Sequence, residues 1–204
     1  MFRTLLGAAL TSLLLVCSSA WAGTVLVWGD SLSAGYGLRQ QQSWPALLGE
    51  RISAARLPHK VVNASISGET TAGGLARLPA ALETHKPSVV VIELGANDGL
   101  RGFAPAITRA NLTKMIELAR AHQAKTVLTQ ILLPRNYGAR YLQQFEQIFP
   151  DLAKANDLPL MPFFLDDIVL RPELMMNDGL HPTATAQPRI RDKVARFVEP
   201  LLTQ

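Results

Sequence analysis

The chain has 204 residues, 48% of them apolar, which is enough to bury a core and too apolar for a disordered chain. Its net charge of +4 is small, its basic residues are scattered, and no aromatic–basic alternation marks a nucleic-acid surface. The densest basic cluster, Arg189, Arg191, Lys193 and Arg196, is diluted by Asp192 and Glu199 and reads as a solvated helix face, or as a transient contact for anionic lipid headgroups at most.

The amino terminus reads as a leader. Met1-Phe2-Arg3 gives a positive start, Leu5 to Val16 an apolar centre, and Ala20-Trp21-Ala22 the small residues of a signal-peptidase site. This predicts a signal peptide over 1–22, a single domain over 23–204 and export to the periplasm. The apolar centre is too short for a transmembrane anchor. Cys17, the one cysteine, falls inside the leader, so the mature chain needs no disulfide. A lipoprotein signal would use Cys17 as its anchor, but Val16 before it is bulkier than such signals accept.

Strand-like and helix-like segments then alternate. Thr24 to Trp28 reads as a buried strand, and Ser43 as the cap of a helix through Trp44, Leu47, Leu48 and Ile52. Lys60 to Ala64 is a second strand, and a helix from about Thr71 to Thr84 carries Leu75, Leu78 and Leu82 on one side. After Pro87, the β-branched run Val89 to Leu94 suits a central strand buried on both faces. Leu112, Met115, Ile116 and Ala119 form the inner stripe of the next helix, and Thr126 to Gln130 a fourth strand. A helix over Arg140 to Asn156, a short strand over Leu158 to Met161 and a last helix over Thr185 to Val198 complete the chain. Such alternation implies right-handed βαβ units, a parallel sheet and a three-layer α/β/α sandwich. The strand order cannot be read from the residues, and the flavodoxin-like order is the expectation for this class.

In open parallel sheets the ligand crevice lies beyond the carboxyl ends of the strands. Ser31 follows the first strand, Gly68 the second and Asn97 the third, so all three face one rim. A serine made nucleophilic by histidine and carboxylate, beside donors for a developing oxyanion, is the equipment of acyl transfer. The Ser31 and Gly68 amides and the Asn97 side chain are the candidate donors. Asp178 and His181 stand three residues apart, so one tight turn lets the carboxylate orient the imidazole. Asp30 and Asp98 read as braces of their turns, and Gly68 also suits a turn. His59, His85 and His122 fall near helix ends or turns and read as solvated. No His, Cys and Asp cluster has metal-ligand spacing, so no metal site is expected.

At Gly29-Asp30-Ser31-Leu32, Gly68, Asn97 and Asp178-Gly179-Leu180-His181-Pro182 the chain resembles the SGNH (GDSL) hydrolase family, block by block and in order. The stretches Ser33 to Tyr36, Asn63 to Thr70, Glu93 to Gly102 and Pro134 to Gly138 are similar to its periplasmic TesA-type branch, known for multifunctional thioesterase, lysophospholipase and arylesterase activity. The resemblance implies a five-stranded sheet of order 2-1-3-4-5 and no metal or organic cofactor. It also implies a triad of Ser31, Asp178 and His181, with an oxyanion hole from Ser31, Gly68 and Asn97. An ordinary α/β-hydrolase would carry its serine in G-x-S-x-G, whereas position 33 here is serine and the nucleophile follows the first strand.

An acyl chain needs an apolar groove. Leu100, Phe103, Leu133, Pro134, Tyr137 and Leu180 are its candidate walls, with Ile131 and Leu132 beside them, and Gly99 and Gly102 could hinge the Leu100 segment. The expected partner is a small acyl ester or thioester met by a monomer, with no nucleic acid. Two alternatives stay open: a carbohydrate acetyl-esterase, which wants a small polar acyl pocket, and a non-catalytic periplasmic lipid-binding module.

Overall fold

In the computed structural model, residues 23–203 are described; the expected leader at 1–22, with Cys17, lies outside them. Five strands, β1 (Gly23–Gly29), β2 (His59–Asn63), β3 (Val89–Glu93), β4 (Lys125–Thr129) and β5 (Leu160–Met161), form one parallel sheet in the order β2-β1-β3-β4-β5. Each strand alternates its side chains between two faces. On one face Val25, Val27, Val89, Val91 and Val127 pack with Trp44, Leu48 and Ile52 of α2 (Trp44–Ala54) and with Ile190, Val194 and Val198 of α8 (Gln187–Leu202). On the other, Leu26, Trp28, Val90, Ile92 and Leu128 meet α3 (Thr71–His85), α5 (Pro105–Ala121) and α7 (Ile148–Asn156) through Leu78, Leu112, Met115 and Phe149. Each such aliphatic side chain gains about 1.5–3 kcal/mol on burial, so both faces of the central strands must be apolar. This is the predicted three-layer sandwich with its predicted strand order.

Three local expectations change. Ser43 stands at the start of α2 without capping it, because its hydroxyl donates to the Gln40 carbonyl at 2.7 Å. The free Trp44 N–H donates instead to Oε1 of the buried Gln187, at 2.9 Å. The single helix expected over Arg140 to Asn156 is two, α6 (Ala139–Glu146) and α7, broken at Gln147. Pro150 has no N–H to give the Glu146 carbonyl, which accepts from Gln130 Nε2 at 3.0 Å instead. The last helix begins at Gln187, after a 3-10 turn over Ala184–Ala186.

Two of the four basic side chains of the α8 cluster are engaged in ion pairs. Arg191 pairs with Asp192, Lys193 with Asp166 and Asp167, and Arg51 of α2 reaches Asp192 and Glu199. Among the described residues no helix is long and apolar enough to cross a membrane.

Candidate active site

The chain leaves β1 at Gly29 and turns at once into the one-turn helix α1 (Ser31–Ala34). Asp30 makes the turn possible. Its Oδ1 accepts the Leu32 N–H at 3.0 Å, satisfying a donor that a helix start leaves open. Ser31 therefore sits at the first helical position, above the carboxyl edge of the sheet and partly exposed. Beneath it Ser33 is buried and donates to Glu93 Oε2 at 2.6 Å. Gly29 must be glycine: a Cβ there would lie 2.6 Å from Glu93 Oε2 and 2.7 Å from Ser33 Oγ.

The second half of the site comes from the loop before α8. Met175 and Pro182 bridge in antiparallel fashion, and the Met176 N–H donates to the His181 carbonyl at 2.7 Å. Between them Gly179 takes a φ of +67°, a conformation that favours glycine. Asp178 organises the turn: Oδ1 accepts the Leu180 and His181 amides at 2.9 and 3.0 Å, and Oδ2 lies 2.7 Å from His181 Nδ1. The His181 amide, then its ring, then the Leu180 amide hold the Asp178 carboxyl down at about 2. An ionised Asp178 accepts only, so Nδ1 carries the proton and Nε2 faces outward as a base. Nε2 lies 2.9 Å from Ser31 Oγ, across 150 residues of sequence. The Tyr36 ring packs on the imidazole, with centroids 4.3 Å apart, and Met176 rests against Gly37, so the two loops also touch through side chains. A serine hydroxyl so placed can pass its proton to the histidine as it attacks.

Gly68 follows β2. It sits third in a turn closed by the Glu69 N–H on the Ile66 carbonyl at 3.1 Å, with a φ of +77° that suits glycine. Its carbonyl accepts from Arg101 Nη2 at 3.1 Å. The Ile66 N–H bonds the Gly29 carbonyl at 3.1 Å, which ties this turn to the end of β1. Asn97 follows β3 on the short helix α4 (Ala96–Leu100), whose cap is Gly95, so the Asn97 amide is not spent on the helix start. It donates from Nδ2 to Asp30 Oδ2 at 3.1 Å. The neighbouring Asp98 is buried and accepts the Thr71 amide at 2.8 Å and its hydroxyl, anchoring α4 to α3. Among the described residues neither the Ser31 nor the Gly68 amide donates to a protein acceptor.

The expected groove walls divide. Phe103 and Leu180 are exposed, Pro134 is exposed, and Leu100 is half-buried. Tyr137 donates its hydroxyl to the Leu100 carbonyl at 2.8 Å, and Tyr141 to the Phe103 carbonyl at 2.7 Å, so both ends of the segment are tied down. Leu133 is a correction. It is buried in the core with Leu94 and Phe145, pressed against Gly99 so closely that a Cβ there would lie 2.5 Å from its Cδ1. Its neighbour Leu132 points out instead. Gly99 is thus a close-packing glycine. Three residues lie in stretches the sequence marked as family-like but to which it gave no role: Tyr36 on the imidazole, Arg101 on the Gly68 turn, and the fully buried Glu93 behind Ser31. The unbroken apolar run before Glu93 carried a signal, because a carboxylate inside such a run has to be buried.

Two carboxyls lie close behind the serine. Burial pushes Asp30 up to about 6 and raises Glu93 well above the ordinary carboxylate range, aided by the charge of Asp30. Among the described residues no group of three or more His, Cys, Asp or Glu is placed to hold a metal ion.

Known proteins resemble this chain over most of its length. Residues 27–187 match the model of the GDSL-like Lipase/Acylhydrolase family. The chain is 48% identical over 189 residues to the thioesterase 1/protease 1/lysophospholipase L1 of Escherichia coli K12, covering 93% of this chain and 89% of that protein. It is 51% identical over 172 residues to an arylesterase of Vibrio mimicus, covering 84% and 86% of the two. Among solved structures, the psychrotrophic esterase EstA of Pseudoalteromonas sp., inhibited by monoethylphosphonate, superposes with a TM-score of 0.85 at 44% identity, over 89% of this chain and all of that one. The family's match begins in the strand that presents Ser31 and ends just beyond the turn that presents His181, and at these identities the chain belongs to the GDSL-like lipase/acylhydrolase family.

Proposed function

We propose that the protein is a serine hydrolase that cleaves carboxylic esters and thioesters through an acyl-enzyme. The observation that carries this reading is the relay from Asp178 through His181 to Ser31, at 2.7 and 2.9 Å. Ser31 Oγ attacks the substrate carbonyl carbon while its proton passes to His181 Nε2. The carbonyl oxygen becomes an oxyanion, received by the Ser31 and Gly68 amides and by the Asn97 side chain, each worth about 3–4 kcal/mol in the transition state. Collapse expels the alcohol or thiol, which takes the proton from His181. Water then gives a proton to His181 as it attacks the acyl carbon, and collapse frees the acid while His181 returns the proton to Ser31 Oγ. Asp178 keeps the ring in one tautomer and supports its positive form.

Esters and thioesters differ here only in the leaving group, so one site serves both. Similarity to a thioesterase/lysophospholipase and to an arylesterase supports thioesters, lysophospholipids and aryl esters as substrates. The exposed apolar side chains Phe103, Leu132 and Leu180, beyond the carboxyl ends of the strands, suit an acyl chain better than a sugar acetate. With the leader read from residues 1–22, the enzyme works in the periplasm, where it meets lipid esters rather than intracellular acyl-CoA. Ser31→Ala should keep the circular-dichroism spectrum and thermal midpoint while losing nearly all turnover of p-nitrophenyl esters. A fluorophosphonate should label the native protein stoichiometrically and Ser31→Ala not at all. Wild-type turnover in Ser31→Ala, or no labelling of the native protein, overturns the reading.

A further inference from the structure

The Asn97 side chain has a donor end and an acceptor end, and they differ in what they do to an oxyanion. The NH2 end stabilises it and the carbonyl end repels it. Only the hydrogen-bond partner decides which end points where. In this structure that partner is Asp30, with Oδ2 at 3.1 Å from Asn97 Nδ2.

We propose that Asp30 is a positioning residue for catalysis: it fixes which end of the Asn97 amide faces the nucleophile and so makes Asn97 a donor to the reacting oxygen. This rests on the serine-hydrolase reading above. Asp30 is buried and accepts two donors on two separate oxygens, Leu32 N–H on Oδ1 and Asn97 Nδ2 on Oδ2. Only a carboxylate can accept on both sides. An asparagine at position 30 has one oxygen and one NH2, so it must either leave the Leu32 amide unanswered or present a donor to a donor at Asn97. The second choice turns the Asn97 amide over and points its carbonyl at the oxyanion.

The surroundings hold Asp30 to this task. Its own N–H reaches Glu93 Oε2 at 3.4 Å, which steadies the backbone from below. Asp98, next to Asn97, is locked to the Thr71 amide and hydroxyl, so α4 cannot rotate to compensate. Asn97 has two N–H bonds: one satisfies Asp30, and the other remains for the substrate. One residue thereby couples the turn that presents the nucleophile to the donor that receives the charge.

The test compares four proteins with a p-nitrophenyl ester: wild type, Asn97→Ala, Asp30→Asn and the double variant. Asn97→Ala should lower kcat by about 10²–10³-fold with KM little changed, as removal of an oxyanion donor does. Asp30→Asn should lower kcat by a similar factor, again with KM little changed, and the double variant should be no slower than Asn97→Ala. Asp30→Ser provides a second route if Asp30→Asn does not fold. Its hydroxyl can still cap Leu32 but is too short for Asn97, and the same loss of kcat is expected. Folded Asp30 variants at wild-type kcat, or losses that multiply in the double variant, overturn the proposal. Wild-type kcat in Asn97→Ala removes Asn97 from the oxyanion site, and the proposal with it, while fluorophosphonate labelling of Ser31 would still stand.

Discussion

At the scale of single residues, the two aspartates of the site work in the same way on different partners. Each uses one oxygen to build the turn it stands in and the other to aim a functional side chain. Asp178 takes the Leu180 and His181 amides on Oδ1 and aims the imidazole with Oδ2. Asp30 takes the Leu32 amide and aims Asn97. Asp178→Asn should therefore keep the turn, since an amide oxygen can still accept both backbone N–H groups. It should nevertheless lower kcat by about 10³–10⁴-fold, because its NH2 opposes the proton on Nδ1 and favours the wrong tautomer. Steady-state kinetics at neutral pH check this, and loss below ten-fold would refute the orienting role. The Asp178–His181 relation was legible in the sequence because a spacing of three residues confines both to one turn. The second task of Asp30 was not, because its partner is 67 residues away and only the sheet brings the two together.

At the scale of elements, hydrophobic pattern told strand from helix well and told ends and breaks poorly. The β-branched run over Val89 to Ile92 had to be a central strand, since only a strand covered on both faces buries every side chain. The break between α6 and α7 rests on Pro150 and on Gln130, which reaches across from the end of β4, and the apolar stripe runs through it unchanged. Leu133 was misjudged for a related reason. After a strand ends, alternation no longer says which of Leu132 and Leu133 turns inward, and the close approach of Gly99 decides it. The start of α2 gives a test of such long-range capping. Gln187 is buried, accepts the Trp44 N–H and donates weakly to the Thr183 carbonyl at 3.4 Å, so it ties α2 to the exit of the histidine turn. Gln187→Ala leaves that buried N–H unanswered and should cost about 1–3 kcal/mol, whereas Ser43→Ala removes one ordinary hydrogen bond and should cost about 1 kcal/mol or less. Chemical denaturation of both variants checks the order, and a Ser43→Ala cost above that of Gln187→Ala would reverse the assignment of the cap.

At the scale of the whole molecule, the sheet order does what no local motif can. It places the ends of β1, β2 and β3 side by side, so that turns far apart in sequence share one rim. The cost of this arrangement is a buried acid. Glu93 ends β3 fully buried, with Oε1 lacking a partner among the described residues and its proton held well above the ordinary range, while Asp30 beside it is pushed up to about 6. The sign of the effect on stability follows. For a carboxyl whose folded value is raised, the folded state binds more protons than the unfolded one at every pH between the two values. Stability from these groups is therefore fully present below about pH 4, falls as pH rises through about 6 for Asp30, and falls further for Glu93. Asp178 acts in the opposite sense but elsewhere, losing its contribution only as pH drops from the ordinary carboxylate range towards about 2. His59, held below its ordinary value by burial, also opposes the trend, since its folded form resists protonation and gains as pH rises past the ordinary imidazole range. The absolute melting curve mixes these contributions, so the informative quantity is a difference. Glu93→Gln replaces the acid by a neutral group of the same shape that cannot ionise at any pH, and its Oε1 can still accept from the Ser33 hydroxyl. Thermal midpoints of wild type and Glu93→Gln, measured in parallel from pH 5 to pH 8, should diverge steadily, with the wild type losing ground as pH rises. Parallel curves across that range would mean that Glu93 does not change its proton binding on folding, and that the carboxyl behind the nucleophile is solvated rather than sealed.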